Sequence, residues 1–215
     1  SSKGGSQTTD FKIRADDYDQ NRHFFLGQYF HDNYDSFASR LPFVSSGINI
    51  TRIEVWITNK NSRFDQSRNF VAFTDLGENR VLASHHWIPD MAVPVPSNNS
   101  NNLLSTIKTE YPDARNINSV TQALSPLAAF GIEGGKDYEK VESARLLSSS
   151  EYTLNSTLGY ISLNNALNSD EVLGVAYEYT YNGHTYQVGE FSADITTTDQ
   201  SLYLKMLRST TIDPK

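Results

Sequence analysis

The glycine-rich segment 131–136 (GIEGGK) is the pattern in this chain that most resembles a phosphate-binding loop. Such a loop holds phosphate oxygens on backbone N–H groups, and it needs a fixed glycine spacing followed by Lys and then Ser or Thr. Here the glycine spacing differs, and Asp137 follows Lys136. We therefore predict a glycine-rich turn at this position and no nucleotide site.

The histidines do not have the spacing of metal ligands. His85 and His86 are adjacent, and adjacent residues of a strand point to opposite faces, so this pair cannot chelate one ion in the usual way. The other three, His23, His31 and His184, are scattered along the chain. We expect no metal site built from histidine.

A short acidic run resembles the start of a calcium-binding loop. Asp17, Asp19 and Asn21 match the first three ligand positions of such a loop. Arg22 stands where the loop needs Gly, and Gln28 stands where it needs Glu. We therefore assign the acidic residues to capping of a helix that follows them.

The patterns of hydrolytic and sugar-binding sites are also incomplete. The chain has no G-x-S-x-G nucleophile motif, and a catalytic carboxylate pair cannot be chosen from sequence. Trp56 and Trp87 could stack on sugars, but each lies in an apolar segment, which favours packing in the core or at an interface. The absence of Cys excludes thiol catalysis, disulfides and thiolate metal centres. We expect no catalytic residue, cofactor or metal.

Composition narrows the class of protein further. The 215 residues include 18 basic and 25 acidic side chains, so the net charge is −7, which argues against a nucleic-acid partner. Mean hydropathy is −0.49, and no apolar run reaches the ~18–20 residues of a membrane-spanning helix. Abundant Tyr, Asn, Ser and Thr are typical of a β-rich extracytoplasmic protein. The chain begins Ser1-Ser2 without Met or a signal, so we expect it to be part of a longer protein.

The N-terminal third predicts a flexible lead at 1–15 and then a helix at about 18–40. Apolar side chains recur there at steps of three and four residues, and Leu41-Pro42 supplies the stop. Gly27 inside that helix suggests close approach by a neighbouring element. The alternating segment 48–59 predicts a strand, with either a bulge near Thr51 or burial of both faces.

Further strands and two short helices follow. We predict strands at 69–76, 139–147, 151–154, 159–163, 171–181, 184–191 and 201–209, the last of which could also be a short helix. The two short helices are predicted around 103–107 and 117–127. The Pro- and Asn-rich segment 89–102 between these regions is the best candidate for a boundary or a surface loop.

Asn182-Gly183 predicts a β-hairpin with a two-residue type I′ turn. A two-residue turn fixes the register, so Tyr181 faces His184, Tyr179 faces Tyr186, and Tyr177 faces Val188. The face that carries these tyrosines must meet either the core of the sheet, which we favour, or a partner protein. Our candidate partner-contact residues are Trp56, Trp87, Tyr177, Tyr179 and Tyr186.

These elements predict an α+β fold that is rich in β-structure. We expect one or more antiparallel sheets, with one longer N-terminal helix and two short helices packed on them. Residues 16–215 form one module or two subdomains, 16–96 and 103–215, divided by the 89–102 loop.

Several segments of the chain resemble the SprA/Sov family of outer-membrane proteins of type IX secretion and gliding motility. The resemblance is carried, in order, by residues 15–60 (ADDYDQNRHFF…), 68–78 (RNFVAFTDLGE), 114–127 (ARNINSVTQALSPL), 137–194 (DYEKVESARLL…) and 202–214 (LYLKMLRSTTIDP). The family is understood as a giant outer-membrane barrel that translocates folded cargo. The resemblance implies a non-catalytic, extracytoplasmic module of that translocon, on the periplasmic or the cell-surface side. Its partners would be other secretion-system components, secreted cargo or the rest of the barrel chain.

Two other functions remain open at this point. One is a carbohydrate-binding surface domain, which would use exposed Trp56 or Trp87. The other is a hydrolase whose carboxylates are unrecognisable in sequence, for which a deep pocket with two converging carboxylates or a perturbed histidine would be the sign.

Overall fold

The computed structural model describes residues 21–61, 66–79 and 86–211. Within them the strands are β1 His23–Phe25, β2 Ile48–Ile57, β3 Ser67–Phe73, β4 Tyr138–Leu146, β5 Tyr152–Asn155, β6 Tyr160–Leu163, β7 Leu173–Tyr181, β8 His184–Val188 and β9 Leu202–Arg208. The helices are α1 Gln28–Phe37, α2 Leu103–Glu110 and α3 Val120–Leu124, with 3-10 segments at Pro112–Arg115 and Ser125–Phe130. The predicted β-rich α+β class is confirmed. The predicted lead at 1–15 lies outside the described residues.

The larger sheet closes on itself. Its strand order is β2-β4-β3-β9-β7-β8, and β2 also pairs with β7, so these strands other than β8 form a closed ring of five. Strand β8 is not part of the ring and pairs with residues 177–181 of β7. Strands from both sides of the 89–102 loop are neighbours in this ring. The smaller sheet, β1-β6-β5, packs beside it.

The two faces of the ring strands enter two different clusters. On the inner side, Trp56, Phe70 and Leu204 pack together. Gly174 lies close against this cluster, since a Cβ added at that position would be only 3.2 Å from Leu204 Cδ1. Residues of the opposite parity face outward, where the three helices and the smaller sheet cover them. Covering of both faces matches the runs of consecutive buried residues in β3, β7 and β9, whereas β4 keeps exposed charged residues on part of its length.

Two local predictions in the strands are confirmed. The pairing of β2 with β7 shifts between Ile50 and Arg52, which places a bulge at Thr51. The hairpin of β7 and β8 has the predicted register, and both turn residues have positive φ, 49° at Asn182 and 75° at Gly183. The segment 201–209, left open between strand and helix, is strand β9.

One pairing differs from the antiparallel prediction. Strands β3 and β9 run parallel, from Phe70 opposite Leu202 to Phe73 opposite Lys205. A parallel pair needs a long connection, and here most of the C-terminal half of the chain lies between the two strands. Sequence periodicity cannot reveal such a pairing, because the partners are distant in the chain.

The predicted helix at 18–40 was too long. Residues 23–25 are strand β1, and α1 begins only at Gln28, after Gly27 in an extended conformation. The expected close approach at Gly27 is present, since a Cβ there would lie 3.2 Å from Glu78 Oε1. Glu78 itself accepts a hydrogen bond from the backbone N–H of Gln28 at 3.0 Å and so caps α1.

The two short helices lie where the sequence predicts them. In α2, Leu103, Leu104 and Ile107 are buried, and α3 buries Val120 and Leu124. No helix among residues 21–61, 66–79 and 86–211 has the length and apolar character needed to cross a membrane.

Candidate functional site

The predicted tyrosine face of the hairpin is a stacked row in the core. The Tyr177 and Tyr179 rings lie 6.0 Å apart, and Tyr179 and Tyr186 lie 5.4 Å apart. Phe30 of α1 packs over the first two at 6.2 Å and 6.4 Å. The Tyr177 hydroxyl donates to the Leu26 carbonyl at 3.3 Å, and the Tyr179 hydroxyl donates to the Pro96 carbonyl. Burial raises the pKa of both phenols well above the ordinary value.

The two tryptophans are also buried. Trp56 lies inside the ring of strands, and Trp87 packs in the outer cluster. Of the five candidate partner-contact residues, therefore, only Tyr186 is partly exposed. Partner contact through these residues stays a prediction. Stacking on a sugar would need an accessible indole ring, and neither tryptophan offers one.

Among the residues that the structure describes, five large apolar side chains that we did not predict are exposed instead. They are Met91 (87% exposed), Phe43 (79%), Ile88 (67%), Phe130 (53%) and Leu41 (46%). The sequence contains a partial signal for four of them, because they lie in loops that contain Pro, although Val95 between Pro94 and Pro96 is buried. That signal is present in Leu41-Pro42-Phe43 and in the run from Ile88 through Pro89 to Met91.

The loop that carries Ile88 and Met91 is tied down on both sides. The Ile88 N–H donates to Asn102 Oδ1 at 2.7 Å, and the Asp90 N–H donates to the Ser100 carbonyl at 2.8 Å. We refer to Ile88, Met91 and Phe130 as the apolar loop group. An exposed apolar group of this kind marks protein contact sites more often than chemical sites.

Phe130 adjoins this loop through a ring contact. The His86 imidazole stacks on the Phe130 ring at 4.0 Å, and it also meets Trp87 edge-on at 4.9 Å. His85, its neighbour in sequence, lies outside the described residues. His86 thus packs between two aromatic rings.

Two buried ion pairs join the helices to the ring. The Arg115 guanidinium binds Glu190 through two bonds, of 2.6 Å and 2.7 Å, and stacks 3.9 Å over the Tyr203 ring. Lys205 pairs with Glu78 at 2.8 Å and also donates to the Thr74 carbonyl. In both cases the charges hold elements together. Glu78, Lys205 and Glu190 are shielded from solvent, whereas the Arg115 side chain is 21% exposed.

A pocket of about 180 Å³ opens where the two sheets meet. Its walls come from the ends of β2, β4 and β6, the connection between β4 and β5, the 165–168 loop and Glu171, two residues before β7. The floor is apolar and the rim is polar. The floor consists of Ile57, Leu147, Leu163 and Leu167, and the rim includes Arg145, Glu151, Asn165, Asn168 and Glu171.

The two carboxylates of the pocket differ from a catalytic pair. Arg145 donates to Glu151 at 2.6 Å, and the Ser148 N–H donates to the other oxygen at 2.8 Å. Partial burial acts to raise the pKa of Glu151, but the Arg145 hydrogen bond holds it below the ordinary value. A carboxylic acid that acts as a general acid needs a raised pKa, whereas the pKa of Glu151 is lowered, so Glu151 does not have the properties of a general acid.

The remaining sequence patterns are accounted for as follows. The 131–136 segment is a turn, in which Gly131 and Gly135 have positive φ and the Asp137 carboxylate accepts from the Glu133 N–H at 2.8 Å. Asp17 and Asp19 lie outside the described residues. Among the residues that the structure describes, no three His, Asp or Glu side chains are grouped to hold a metal ion.

Comparison with protein families places most of the chain in a described family. A protein-family model, SprA_N, described as a motility related/secretion protein, matches residues 1–168, more than three quarters of the chain. No curated protein matches it. The matched range contains β1 to β6, α1 to α3 and all five of the exposed apolar side chains described above. The chain therefore belongs to the SprA_N family of motility- and secretion-related proteins.

Proposed function

We propose that this chain is a non-catalytic module of a giant outer-membrane translocon that serves type IX secretion and gliding motility. The observation that carries the proposal is the family match, which relates residues 1–168 to motility and secretion. The ordered resemblance of the segments quoted above to SprA/Sov supports the narrower assignment to a translocon.

The use of charged side chains within the fold supports a non-catalytic role. Glu78, Lys205, Arg115 and Glu190 are bound to each other and to backbone groups, and together they fasten helices and loops onto the ring. A reacting group must be able to reach a substrate. Glu78, Lys205 and Glu190 are buried, Arg115 is partly buried, and all four are already paired.

The apolar loop group supports a role in protein contact. Its members lie at the surface, on a loop fixed by hydrogen bonds and on a 3-10 segment beside it. Rigid, exposed apolar side chains are suited to anchor a partner, because little conformational entropy is lost on binding. We propose that the partners are other secretion-system components, secreted cargo or the rest of the barrel chain.

We propose an extracytoplasmic location for the module, within a parent protein of the outer membrane. This assignment rests on the resemblance alone, and it leaves open whether the module faces the periplasm or the cell surface. Labelling of intact and permeabilised cells with a membrane-impermeant reagent, at a single Cys introduced at Thr109, distinguishes the two sides. Labelling of neither preparation would contradict the proposed location.

The test of function removes residues 21–211 from the parent protein in its native host. We expect secretion of cargo and gliding to be lost while the parent protein still accumulates in the outer membrane. The matched control replaces exposed Asn118 with Ser, which leaves both activities intact. A truncated parent that is present in the membrane and still supports secretion and gliding would contradict the proposal.

A further inference from the structure

The chain has two methionines, and they lie in opposite surroundings. Met206 on β9 packs inside the ring of strands and is 5% exposed. Met91 is 87% exposed, the largest value among the exposed apolar side chains described above. A reagent dissolved in water therefore meets the Met91 sulfur directly, whereas it reaches the Met206 sulfur only when the fold opens.

Met91 is held at the tip of a closed turn formed by residues 90–93. The Val93 N–H donates to the Asp90 carbonyl at 3.0 Å, and the Ala92 N–H donates to Asp90 Oδ1 at 2.9 Å. The loop that carries this turn is tied down on both sides, as described above. Because these bonds fix the backbone, the fold itself keeps the Met91 side chain in water.

The thioether of an exposed methionine is oxidised by peroxides in a two-electron step. The sulfur takes one oxygen atom from hydrogen peroxide, the O–O bond breaks, and the second oxygen leaves as water with both protons. The sulfoxide that forms is polar, so its transfer into an apolar contact costs free energy. The step is reversible, because two thiols can return the thioether while they form a disulfide and the oxygen leaves as water.

We propose that Met91 is a site of reversible oxidation, and that its oxidation weakens protein contact through the apolar loop group. The other two members, Ile88 and Phe130, have hydrocarbon side chains and carry no oxidisable sulfur. An oxidant therefore acts on this group through Met91. The inference rests on the proposed contact role of the apolar loop group, and it goes beyond that role by naming a modification that regulates it.

The first test treats the 215-residue chain with hydrogen peroxide and follows each methionine by peptide mass mapping. We expect Met91 to gain an oxygen atom at least about ten times faster than Met206, because only Met91 is accessible without opening of the fold. Methionine sulfoxide reductase with dithiothreitol should remove that oxygen, and the thermal unfolding midpoint of the oxidised chain should be unchanged. Equal rates at the two methionines, or a sulfoxide that the reductase does not remove, would overturn the proposed site.

The second test measures contact, with the immobilised chain as bait in an extract of the native host. Peroxide is removed before mixing, so that only the bait is oxidised. We expect the oxidised chain to recover about ten-fold less of a secretion-system component than the untreated chain, as for loss of an apolar anchor.

Two variants assign this loss to one sulfur. Peroxide should not change the recovery by Met91→Leu relative to its own untreated sample, because the oxidisable sulfur is gone. The matched control, Met206→Leu, keeps Met91 and should still lose recovery after treatment. Undiminished recovery by the oxidised chain, or a loss of recovery in treated Met91→Leu, would overturn the effect of oxidation on contact.

A third variant, Met91→Ser, separates failure of this inference from failure of the proposed contact role. If Met91→Ser and the untreated chain recover the component equally, contact does not use Met91, and both proposals about this surface are wrong. If Met91→Ser loses recovery but the oxidised chain does not, the contact role stands and regulation by oxidation alone is wrong.

Discussion

The hairpin of β7 and β8 and the apolar loop group are both rich in large apolar side chains, but they have opposite exposures. On the hairpin, Tyr177 and Tyr179 are fully buried beneath Phe30 of α1. On the loop, Ile88 and Met91 are mostly exposed, although backbone hydrogen bonds fix their positions. The hairpin side chains stabilise the fold, whereas the loop side chains contribute little burial to it.

The difference shows how an apolar pattern should be interpreted. Alternation of apolar and polar residues in a strand implies that another layer covers the apolar face, because all apolar side chains of the strand lie on that one face. Apolar residues beside Pro in a loop follow no such rule, since Val95 is buried while Ile88 is exposed, and only a group of exposed apolar side chains points to a contact site. Partner contact is therefore better sought in the loop than in the strand.

The largest expected effect is on the buried side of this comparison. Tyr179→Ala removes a fully buried ring and its hydrogen bond to the Pro96 carbonyl, so we expect a loss of about 5 kcal/mol in the free energy of unfolding. Tyr179→Phe, the control, keeps the ring and should cost about 1 kcal/mol. Urea denaturation measures both. If Tyr179→Ala lowered the free energy of unfolding by less than Tyr179→Phe does, the tyrosine face of the hairpin would not be part of the core.

The next prediction concerns the contact that holds α1 over the hairpin. Glu78→Gln leaves Lys205 buried without its counter-ion, and we expect a loss of about 3 kcal/mol. The Gln oxygen can still accept from the Gln28 N–H, so the cap of α1 is retained.

The control for the ion pair is the double variant Glu78→Gln with Lys205→Met. Removal of both charges should recover part of the lost stability, since no buried charge is then unpaired. Thermal unfolding of the single and double variants gives the comparison. A double variant less stable than Glu78→Gln alone would show that the buried charge is not the source of the loss.

The hairpin was predictable from sequence because its determinants are local. Asn182-Gly183 sets the turn, and the turn sets the register of every tyrosine pair. The change in parity of the apolar residues near Thr51 was also visible in sequence, but it left a bulge and burial of both faces open, and the structure has the bulge. The ring was not predictable, because its closure by β2 and β7 and its parallel pair of β3 and β9 join distant segments.

The start of α1 shows a second limit. The apolar stripe continues through Phe25 and Leu26, so periodicity alone extends the helix upstream. The helix begins at Gln28 because Glu78, fifty positions away in the chain, caps it there. In the same way, burial of the tyrosines depends on α1 and on Pro96, so sequence could not decide between core and contact surface.

A smaller effect is expected from Tyr203, which lies in the same outer cluster as the hairpin tyrosines. Burial raises the pKa of Tyr203 to about 12, while Arg115 acts to lower it. Below pH 10 the phenol is protonated in both states. Between pH 10 and 12 only the unfolded chain loses this proton, so stability falls as pH rises.

Tyr203→Phe tests this contribution. The hydroxyl has no hydrogen-bond partner among the described residues, so the change should cost little at pH 7. By pH 11 the variant should retain roughly 1 kcal/mol that the parent chain has lost. Denaturant unfolding at the two pH values measures the difference. Parallel pH dependences of parent and variant would show that Tyr203 titrates alike in both states.

The smallest effect on stability is expected on the exposed side of the comparison. Met91→Ser and Phe130→Ser remove side chains that are mostly in water, so each should change the free energy of unfolding by no more than about 0.5 kcal/mol. The same changes in the parent protein should reduce recovery of a secretion-system component in a pull-down by about ten-fold, as expected for loss of an apolar anchor. Asn118→Ser serves as the surface control.

Because the two variants should keep their stability, a lost recovery in the pull-down could not be attributed to unfolding. Unchanged recovery would assign the contact to another surface. A large loss of stability would instead place these side chains in the core and remove the contrast with the hairpin.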